Sequence, residues 1–235
     1  AALVVCSEFM RMRLLALNAP PEKLHVIPNA VGIDGIAFRV RHAPQGKPLR
    51  LLTIGRLVPF KGVAVLINSL QHSAIYALNW RLDVVGDGPL RAELVTQAEA
   101  AGLADRIVFH GACAREKVLS IIDASDLYLA PAVVDTDGNT ETQGVALLEA
   151  MASGLPVIAS RVGGIPETLG PAAAALVPPN DADALAGALL DLLQRPECWG
   201  ALGHAGRKRV EQHYDQQTWI KRLESLYLHV KNVRN

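Results

Sequence analysis

Short apolar runs of β-type residues alternate with helical stretches along almost the whole chain. Several of these runs are continuous, which is typical of parallel strands that are covered by helices on both faces. The predicted strands are Leu3–Cys6, His25–Ile27, Leu49–Ile54, Arg81–Val85, Ile107–His110, Leu127–Ala130, Val157–Ala159 and Ala174–Val177. The predicted helices are Glu8–Leu17, Val63–Gln71, Leu90–Ala101, Arg115–Ala124, Val145–Ser153, Ala182–Gln194, Trp199–His213 and Gln217–Lys231. Repeated βα units predict a doubly wound α/β fold with ligands at the carboxyl ends of the strands.

The stretch Asn29–Lys47 interrupts this alternation, because it contains glycine, proline and scattered charged residues. We interpret it as a linker, and residues 1–28 as one βαβ unit of a preceding domain. The first residues already have the pattern of a strand and lack an initiator Met, so we expect the chain to begin inside a larger protein. The last three predicted helices have no strand between them and form a C-terminal helical tail.

Composition narrows the classes of partner and compartment. The chain has 235 residues, of which 50% are hydrophobic, and 23 basic residues balance 23 acidic ones. This balance does not indicate nucleic acid or a strongly anionic membrane as a partner. Three scattered cysteines predict reduced thiols, and no apolar run reaches the ~18 residues of a membrane span. We therefore expect a cytoplasmic protein.

The loop Gly55–Gly62 joins a predicted strand to a predicted helix and carries two cations, Arg56 and Lys61. Glycine lets the backbone approach a ligand, and a helix N-terminus offers free amides and a partial positive charge. A guanidinium fork with a nearby ammonium group suits a diphosphate. The alternative is two solvated surface cations.

A second strand–helix turn contains Gly86 and Gly88 and superficially matches the dinucleotide motif G-x-G-x-x-G. Arg91 stands where the third glycine would be, so the match is weak. A tight structural turn is the alternative interpretation.

The most informative segment is Glu141–Ala152, in which seven residues separate Glu141 from Glu149. The helix is predicted to begin near Gly144, which places Glu149 on its second turn, roughly 7–8 Å along the axis. Two carboxylates therefore flank a helix N-terminus whose amides can bind phosphate. Taken singly, each glutamate could equally be a solvated surface residue.

This E-x7-E spacing resembles that of retaining glycosyltransferases with the GT-B fold, family 4 in particular. Four further segments match in order and extend the resemblance over nearly the whole chain. They are Val26–Val31, Gly55–Gly62, Val85–Pro89 and Val162–Glu167. The implied fold is a Rossmann-like, doubly wound parallel sheet, the C-terminal half of GT-B, with the C-terminal helical tail. The implied division is 1–37 as the end of the acceptor domain plus linker, 38–213 as the nucleotide-sugar-binding domain and 214–235 as a C-terminal helix.

The resemblance implies a role for each matching residue. Arg56 and Lys61 would bind the donor diphosphate and Glu141 the hydroxyls of the transferred sugar, and these three would carry catalysis. The amides of residues 143–145 would support sugar and phosphate, and Glu149 would bind the ribose. The complete implied donor-binding set is Gly55, Arg56, Lys61, Gly86, Gly88, Gly111, Cys113, Glu141, Gln143, Gly144, Val145 and Glu149.

The resemblance also has departures. The family usually has Gly-Phe-Gly after the first glutamate, whereas Thr142-Gln143-Gly144 stands here, which leaves the accepted sugar open. The loop Asp135–Thr140 is similar to a subgroup that builds exopolysaccharides. Its Asp135-Thr136-Asp137 sequence lacks a suitably spaced third ligand, so we expect no metal and no cofactor.

The implied function is transfer of a glycosyl group from a UDP- or GDP-type sugar to an acceptor hydroxyl with retained configuration, in polysaccharide or glycolipid biosynthesis. A sugar or lipid-linked acceptor would bind through the missing N-terminal domain, so we expect the 235 residues alone to be inactive. The basic cluster Arg207–Arg209 is interpreted as a solvated helix face, with peripheral contact at the inner membrane face as the alternative. A sugar-nucleotide epimerase or phosphorylase of the same fold, and a non-catalytic sugar-nucleotide-binding module, remain alternatives.

Overall fold

The computed structural model describes residues 2–170 and 174–232, so residue 1 and residues 233–235 of the predicted end segments lie outside it. The strands are β1 Leu3–Val5, β2 Leu24–Val26, β3 Leu49–Ile54, β4 Trp80–Val85, β5 Ile107–Gly111, β6 Leu127–Ala130, β7 Val157–Ser160 and β8 Ala174–Val177. The helices are α1 Glu8–Ala16, α2 Val63–Leu70, α3 Ser73–Tyr76, α4 Arg91–Ala100, α5 Arg115–Ala124, α6 Val145–Ala152, α7 Ile165–Leu169, α8 Ala182–Leu193, α9 Trp199–His213 and α10 Gln216–Asn232. Every predicted strand and helix is present, with each end within one residue of the prediction. The short helices α3 and α7 were not predicted.

Six strands form one sheet in the order β5-β4-β3-β6-β7-β8, and all neighbouring strands are parallel. The chain winds outward from β3 in one direction and then returns to β6 on the other side of β3. This is the strand order of the doubly wound Rossmann arrangement, with its switch point between β3 and β6. The predicted fold class is confirmed.

Helices cover both faces of this sheet. Leu51 and Leu52 are adjacent in β3 and fully buried, yet they belong to two separate apolar clusters. Successive side chains of a strand point to opposite faces, so each cluster lies on one side of the sheet. One cluster includes residues of α2, α4 and α8, and the other includes residues of α5, α6 and α9. Burial on both faces explains why the strands are continuous apolar runs.

Strands β1 and β2 pair in parallel in a separate two-stranded sheet. Leu3 and Val4 of this sheet are 44% and 47% exposed. Helix α1 joins the two strands, and none of its residues is buried. We refer to residues 2–28 as the N-terminal unit. The linker that follows is tied to the C-terminal helices, since the amide of Val31 donates to the carbonyl of Tyr214 (2.9 Å).

The basic cluster on α9 is not the solvated face that its sequence suggested. Arg207 donates to the carbonyls of Ile36 and Ala152, both at 3.1 Å. Arg209 donates to the carbonyls of Glu167 and Thr168 at 2.6 and 2.7 Å. Two of the three cations therefore act as internal cross-links, because backbone carbonyls of neighbouring segments lie within their reach. Within the described residues, no helix is both long and apolar enough to cross a membrane.

Candidate functional site

The candidate site lies at the switch point, where the loops after β3 and β6 meet the N-terminus of α6. One cleft is lined by Gly55, Arg56, Lys61, Glu141 and Gly144, together with apolar residues of β3, β4 and β6. The backbone also joins the two loops, since the amide of Val133 donates to the carbonyl of Phe60 (2.9 Å). Five predicted site residues, from two segments that are distant in sequence, thus share one cavity.

Lys61 and Glu141 form a salt bridge at the centre of this cleft. Their side chains are 23% and 15% exposed, so the pair is accessible but largely shielded from water. The ring of Phe60 lies close to both cations, 5.8 Å from Lys61 Nζ and 5.9 Å from the Arg56 guanidinium carbon. The cleft therefore presents two cations and one carboxylate within a small volume.

The N-terminus of α6 adds neutral donors to the cleft. In residues 2–170 and 174–232, no acceptor takes a hydrogen bond from the backbone amides of residues 143–146. Gly144 begins this helix with φ +85°. Unpaired amides at a helix N-terminus, together with the helix dipole, form a binding site for an anion such as phosphate.

The loop after β7 holds Glu141 in place. The amide of Gly164 donates to the carbonyl of Glu141 (3.0 Å). A Cβ on Gly164 would lie 1.9 Å from the carbonyl oxygen of Thr142, and one on Gly163 would lie 1.9 Å from that of Glu141. Glycine is required here because backbone lies directly against backbone. Sequence inspection recognised this segment as a motif but gave it no role.

The predicted glycines at the ends of β4 and β5 do not line the cleft, but they lie against the loop after β3. Gly86 has φ +126°, and a Cβ there would lie 2.0 Å from the carbonyl oxygen of Gly55. Its amide donates to the carbonyl of Gly111 (2.8 Å), while the amide of Leu57 donates to Asp87 (2.9 Å). A Cβ on Gly88 would lie 2.5 Å from the carbonyl oxygen of Leu57. These glycines let the loops after three neighbouring strands pack in direct contact.

Glu149 lies one turn further along α6, where it meets the loop after β5. Its Oε1 accepts a hydrogen bond from Arg115 (2.7 Å), and its side chain is 14% exposed. Cys113 lies just before Arg115 and is half-buried, with its Sγ 3.7 Å from the carbonyl of Gly111. Arg115 was missed by sequence inspection. Its position two residues after the predicted Gly111–Cys113 loop was the available signal.

Tyr128 of β6 forms part of the wall beneath the cations and is buried. Burial, together with the charge of Glu141, raises the pKa of its phenol well above the usual range. The hydroxyl donates to the carbonyl of Ile54 (3.3 Å). Tyr128 is therefore neutral, and it closes this side of the cleft without adding a negative charge beside the two cations.

The side chain of Gln143 is oriented toward the linker. Its Oε1 accepts a hydrogen bond from the amide of Asn29 and its Nε2 donates to the carbonyl of Asn29, both at 2.8 Å. The residue as a whole is 2% exposed. The side chain and the carbonyl of Gln143 both have hydrogen-bond partners, whereas its backbone amide has none among the described residues. This amide is the group that was predicted to face the donor.

The Asp135–Asp137 segment forms a self-contained turn. Asp135 accepts hydrogen bonds from the amides of Asp137 and Asn139 at 3.0 and 2.8 Å. In the part of the chain that the structure describes, no three His, Cys, Asp or Glu side chains are grouped so as to hold a metal ion.

Comparison with known proteins places this architecture in a family. Residues 36–209 match the family Glycosyl transferases group 1. The chain belongs to this family. It is 33% identical over 223 residues to the putative colanic acid biosynthesis glycosyltransferase WcaL of Salmonella typhimurium, covering 94% of this chain and 54% of the relative. It is 31% identical over 225 residues to the amylovoran biosynthesis glycosyltransferase AmsK of Erwinia amylovora, covering 95% of this chain and 55% of that protein. The chain thus spans about half the length of these curated relatives.

Solved structures show the same fold. Sucrose-phosphate synthase from Thermosynechococcus elongatus superimposes with a TM-score of 0.83 at 27% identity, over 99% of this chain and 59% of that one. HepE of Anabaena, solved in complex with UDP and glucose, superimposes with a TM-score of 0.84 at 20% identity, over 96% of this chain and 62% of that one. The parallel sheet with its flanking and C-terminal helices therefore has the architecture found in GT-B glycosyltransferases.

Proposed function

We propose that this chain is the donor-binding half of a retaining glycosyltransferase, family 4 in particular, which transfers a sugar from a nucleoside diphosphate to an acceptor hydroxyl. The observation that carries this proposal is the meeting of Arg56, Lys61, Glu141 and the N-terminus of α6, with the free amides of Gly144 and Ala146, in one cleft. Cations and amides match the charge of a diphosphate, and the carboxylate matches sugar hydroxyls.

The proposed chemistry requires stabilisation of negative charge on the departing diphosphate. As the bond from the anomeric carbon to the diphosphate oxygen breaks, charge accumulates on the phosphate. Groups held in place before reaction stabilise such charge without reorganisation, and one such group is worth about 2.7–4 kcal/mol in other enzymes. Arg56, Lys61 and the amides of residues 143–146 would fill this role, and no step is assigned to a metal or cofactor.

The identity of the donor base and of the acceptor is a finer part of the proposal. A relative from Mycolicibacterium smegmatis, 31% identical over 230 residues, is named as a GDP-mannose-dependent phosphatidylinositol monomannoside mannosyltransferase. This name supports a GDP-type donor, whereas the UDP of HepE supports a UDP-type donor through fold alone. We propose a sugar or lipid-linked acceptor, reached at the cytoplasmic face of the membrane.

The predicted division into 1–37, 38–213 and 214–235 is retained as part of the proposal. The separate β1–β2 sheet, with its half-exposed Leu3 and Val4, supports assignment of the N-terminal unit to an acceptor domain. A two-stranded sheet is only marginally stable by itself, and further strands or a packed helix stabilise it.

Replacement of Glu149 by glutamine is expected to weaken binding of UDP and of GDP equally, by about threefold to tenfold. The carboxylate would contact the ribose, which both nucleotides share, and the loss corresponds to ~0.7–1.4 kcal/mol. Isothermal titration calorimetry on the purified chain measures both affinities. A loss confined to one nucleotide would instead place Glu149 against the base.

The reaction class is tested in the complete natural protein with an isotope-labelled nucleotide sugar and a panel of acceptors. The proposal predicts a glycosylated acceptor whose anomeric configuration, determined by NMR, equals that of the donor. An epimerised free nucleotide sugar, or phosphate-dependent release of a sugar phosphate, would identify one of the alternative enzymes. Donor binding without turnover across the acceptor panel would instead identify a binding module.

A further inference from the structure

Glu167 of α7 caps the N-terminus of α1 in the N-terminal unit. Its two carboxylate oxygens accept hydrogen bonds from the amide of Glu8 at 2.9 and 3.0 Å, and one of them lies 3.4 Å from the amide of Phe9. Ser7 caps the same helix locally by accepting from the amide of Met10 (3.3 Å). A carboxylate at a helix N-terminus pairs with free amides and with the positive end of the dipole. The two units are thus joined by a charged contact.

Gln143 provides a second joint between the same two parts of the chain. Its amide group makes two hydrogen bonds of 2.8 Å with the backbone of Asn29, at the point where the N-terminal unit continues into the linker. Because Gln143 is buried, loss of its side chain would leave the amide and carbonyl of Asn29 without these partners. This joint requires a side chain as long as glutamine that can both donate and accept a hydrogen bond.

Both joints are built on the segments that hold Glu141. Gln143 follows Glu141 by two residues, and Glu167 lies on the helix that begins after Gly164, whose amide bonds to the carbonyl of Glu141. Thr168 connects the two joints, since its hydroxyl lies 2.8 Å from the carbonyl of Gln143. Arg209 holds the end of α7 through the carbonyls of residues 167 and 168.

We propose that Gln143 and Glu167, together termed the clasp, are positioning residues that fix the N-terminal unit relative to the Glu141 loop. The inference rests on the proposed function, because it concerns how an acceptor presented from the N-terminal side meets the transferred sugar. Neither side chain of the clasp lines the cleft, so its loss removes no donor-binding side chain. Transfer depends on it, because small misplacements of reacting groups cause large losses of rate.

The test uses Gln143→Met and Glu167→Ala, singly and together, in the complete natural protein. We expect kcat for transfer to fall at least tenfold in the double variant. In Glu167→Ala, which leaves the amide of Gln143 in place, kcat should also fall while the KM for the donor stays within twofold. Hydrogen exchange at the amides of residues 8, 9 and 29 should accelerate. Glu167→Gln, which keeps an acceptor but loses the charge, should restore part of the rate.

Two control variants remove similar groups elsewhere. Gln97→Met breaks two hydrogen bonds of a glutamine that joins α4 to α2, at 3.0 and 2.8 Å. Glu93→Gln removes an exposed carboxylate in the first turn of α4. Neither control should change kcat. A general loss of stability would lower the melting temperature of Gln97→Met and Gln143→Met alike, so a fall in kcat confined to Gln143→Met would not be explained by stability.

The possible outcomes separate the two proposals. An active parent protein, with faster exchange at residues 8, 9 and 29 but unchanged kcat in the variants, would overturn the clasp alone. A parent protein that neither binds nor turns over a nucleotide sugar would remove the proposed function and this inference with it. If Gln143→Met fails to fold, Glu167→Ala at a half-buried position decides the question by the same comparison of kcat with the donor KM.

Discussion

Replacement of Lys61 by alanine is expected to weaken binding of UDP or GDP to this chain by more than tenfold, or ~1.4 kcal/mol. The substitution removes a cation from the cleft and also leaves the carboxylate of Glu141 without its partner. An unpaired carboxylate repels a diphosphate, so two effects act in the same direction. Arg56→Ala, which removes a cation but breaks no salt bridge within the described residues, should also exceed tenfold. Calorimetric titration gives both values.

A double variant separates the two effects at Lys61. Lys61→Ala combined with Glu141→Ala should recover part of the affinity for UDP or GDP, since neither nucleotide carries the sugar that Glu141 would contact. Arg195→Ala serves as a control, because this exposed cation lies at the end of α8 and does not line the cleft. Unchanged affinity in both Lys61→Ala and Arg56→Ala would refute the diphosphate assignment.

Replacement of Gly164 by alanine is expected to destabilise the chain strongly through a steric clash alone. The added Cβ would lie 1.9 Å from the carbonyl oxygen of Thr142, far inside normal contact. Gly164 itself has φ −89°, which alanine adopts freely, so the effect isolates the steric clash. We expect a loss of about 2–3 kcal/mol in the free energy of unfolding, as for overpacking in a dense interior. Nucleoside diphosphate binding should also weaken, because the clash displaces Thr142, directly before the amides assigned to the diphosphate.

The matched control is Gly187→Ala in the middle of α8, where an added Cβ meets nothing within 4 Å. Helix propensity favours alanine over glycine, so this variant should gain up to about 1 kcal/mol. Urea unfolding followed by circular dichroism compares the two proteins. Equal stability of the Gly164→Ala and Gly187→Ala variants would show that the loop after β7 yields without cost.

The main elements of the fold followed from local sequence. Strands such as β3 are continuous apolar runs because both faces of the sheet are covered, and this signal needs no knowledge of distant residues. Helices α3 and α7 escaped prediction because four or five residues are too short to display a helical period. The cations after β3 and the glutamates around α6 were predictable because strand ends and helix starts are local features.

Pairings over long sequence separations were not predictable. The partner of Lys61 lies 80 positions away, and the partner of Gln143 lies 114 positions away. From sequence, Gln143 was a departure in a donor loop and Arg209 a surface cation. Only the folded chain brings the linker to Gln143 and the end of α7 to Arg209. The orientation of side chains within a site thus depends on tertiary contacts, which cannot be inferred from the spacing of residues in the sequence.

The most direct test of donor binding by this chain is a series of thermal-unfolding measurements on the purified chain. The ligands are UDP, GDP, their sugar derivatives and the free sugars. A nucleoside diphosphate present at 100 times its Kd should stabilise the chain by ~2.7 kcal/mol. At the same concentration this stabilisation should fall to ~1.4 kcal/mol or less in Lys61→Ala, whose affinity is expected to be more than tenfold lower. Free sugars alone should have little effect, because the cations and amides of the cleft are assigned to the diphosphate. An unfolding temperature that no nucleoside diphosphate or nucleotide sugar raises would contradict donor binding by this chain.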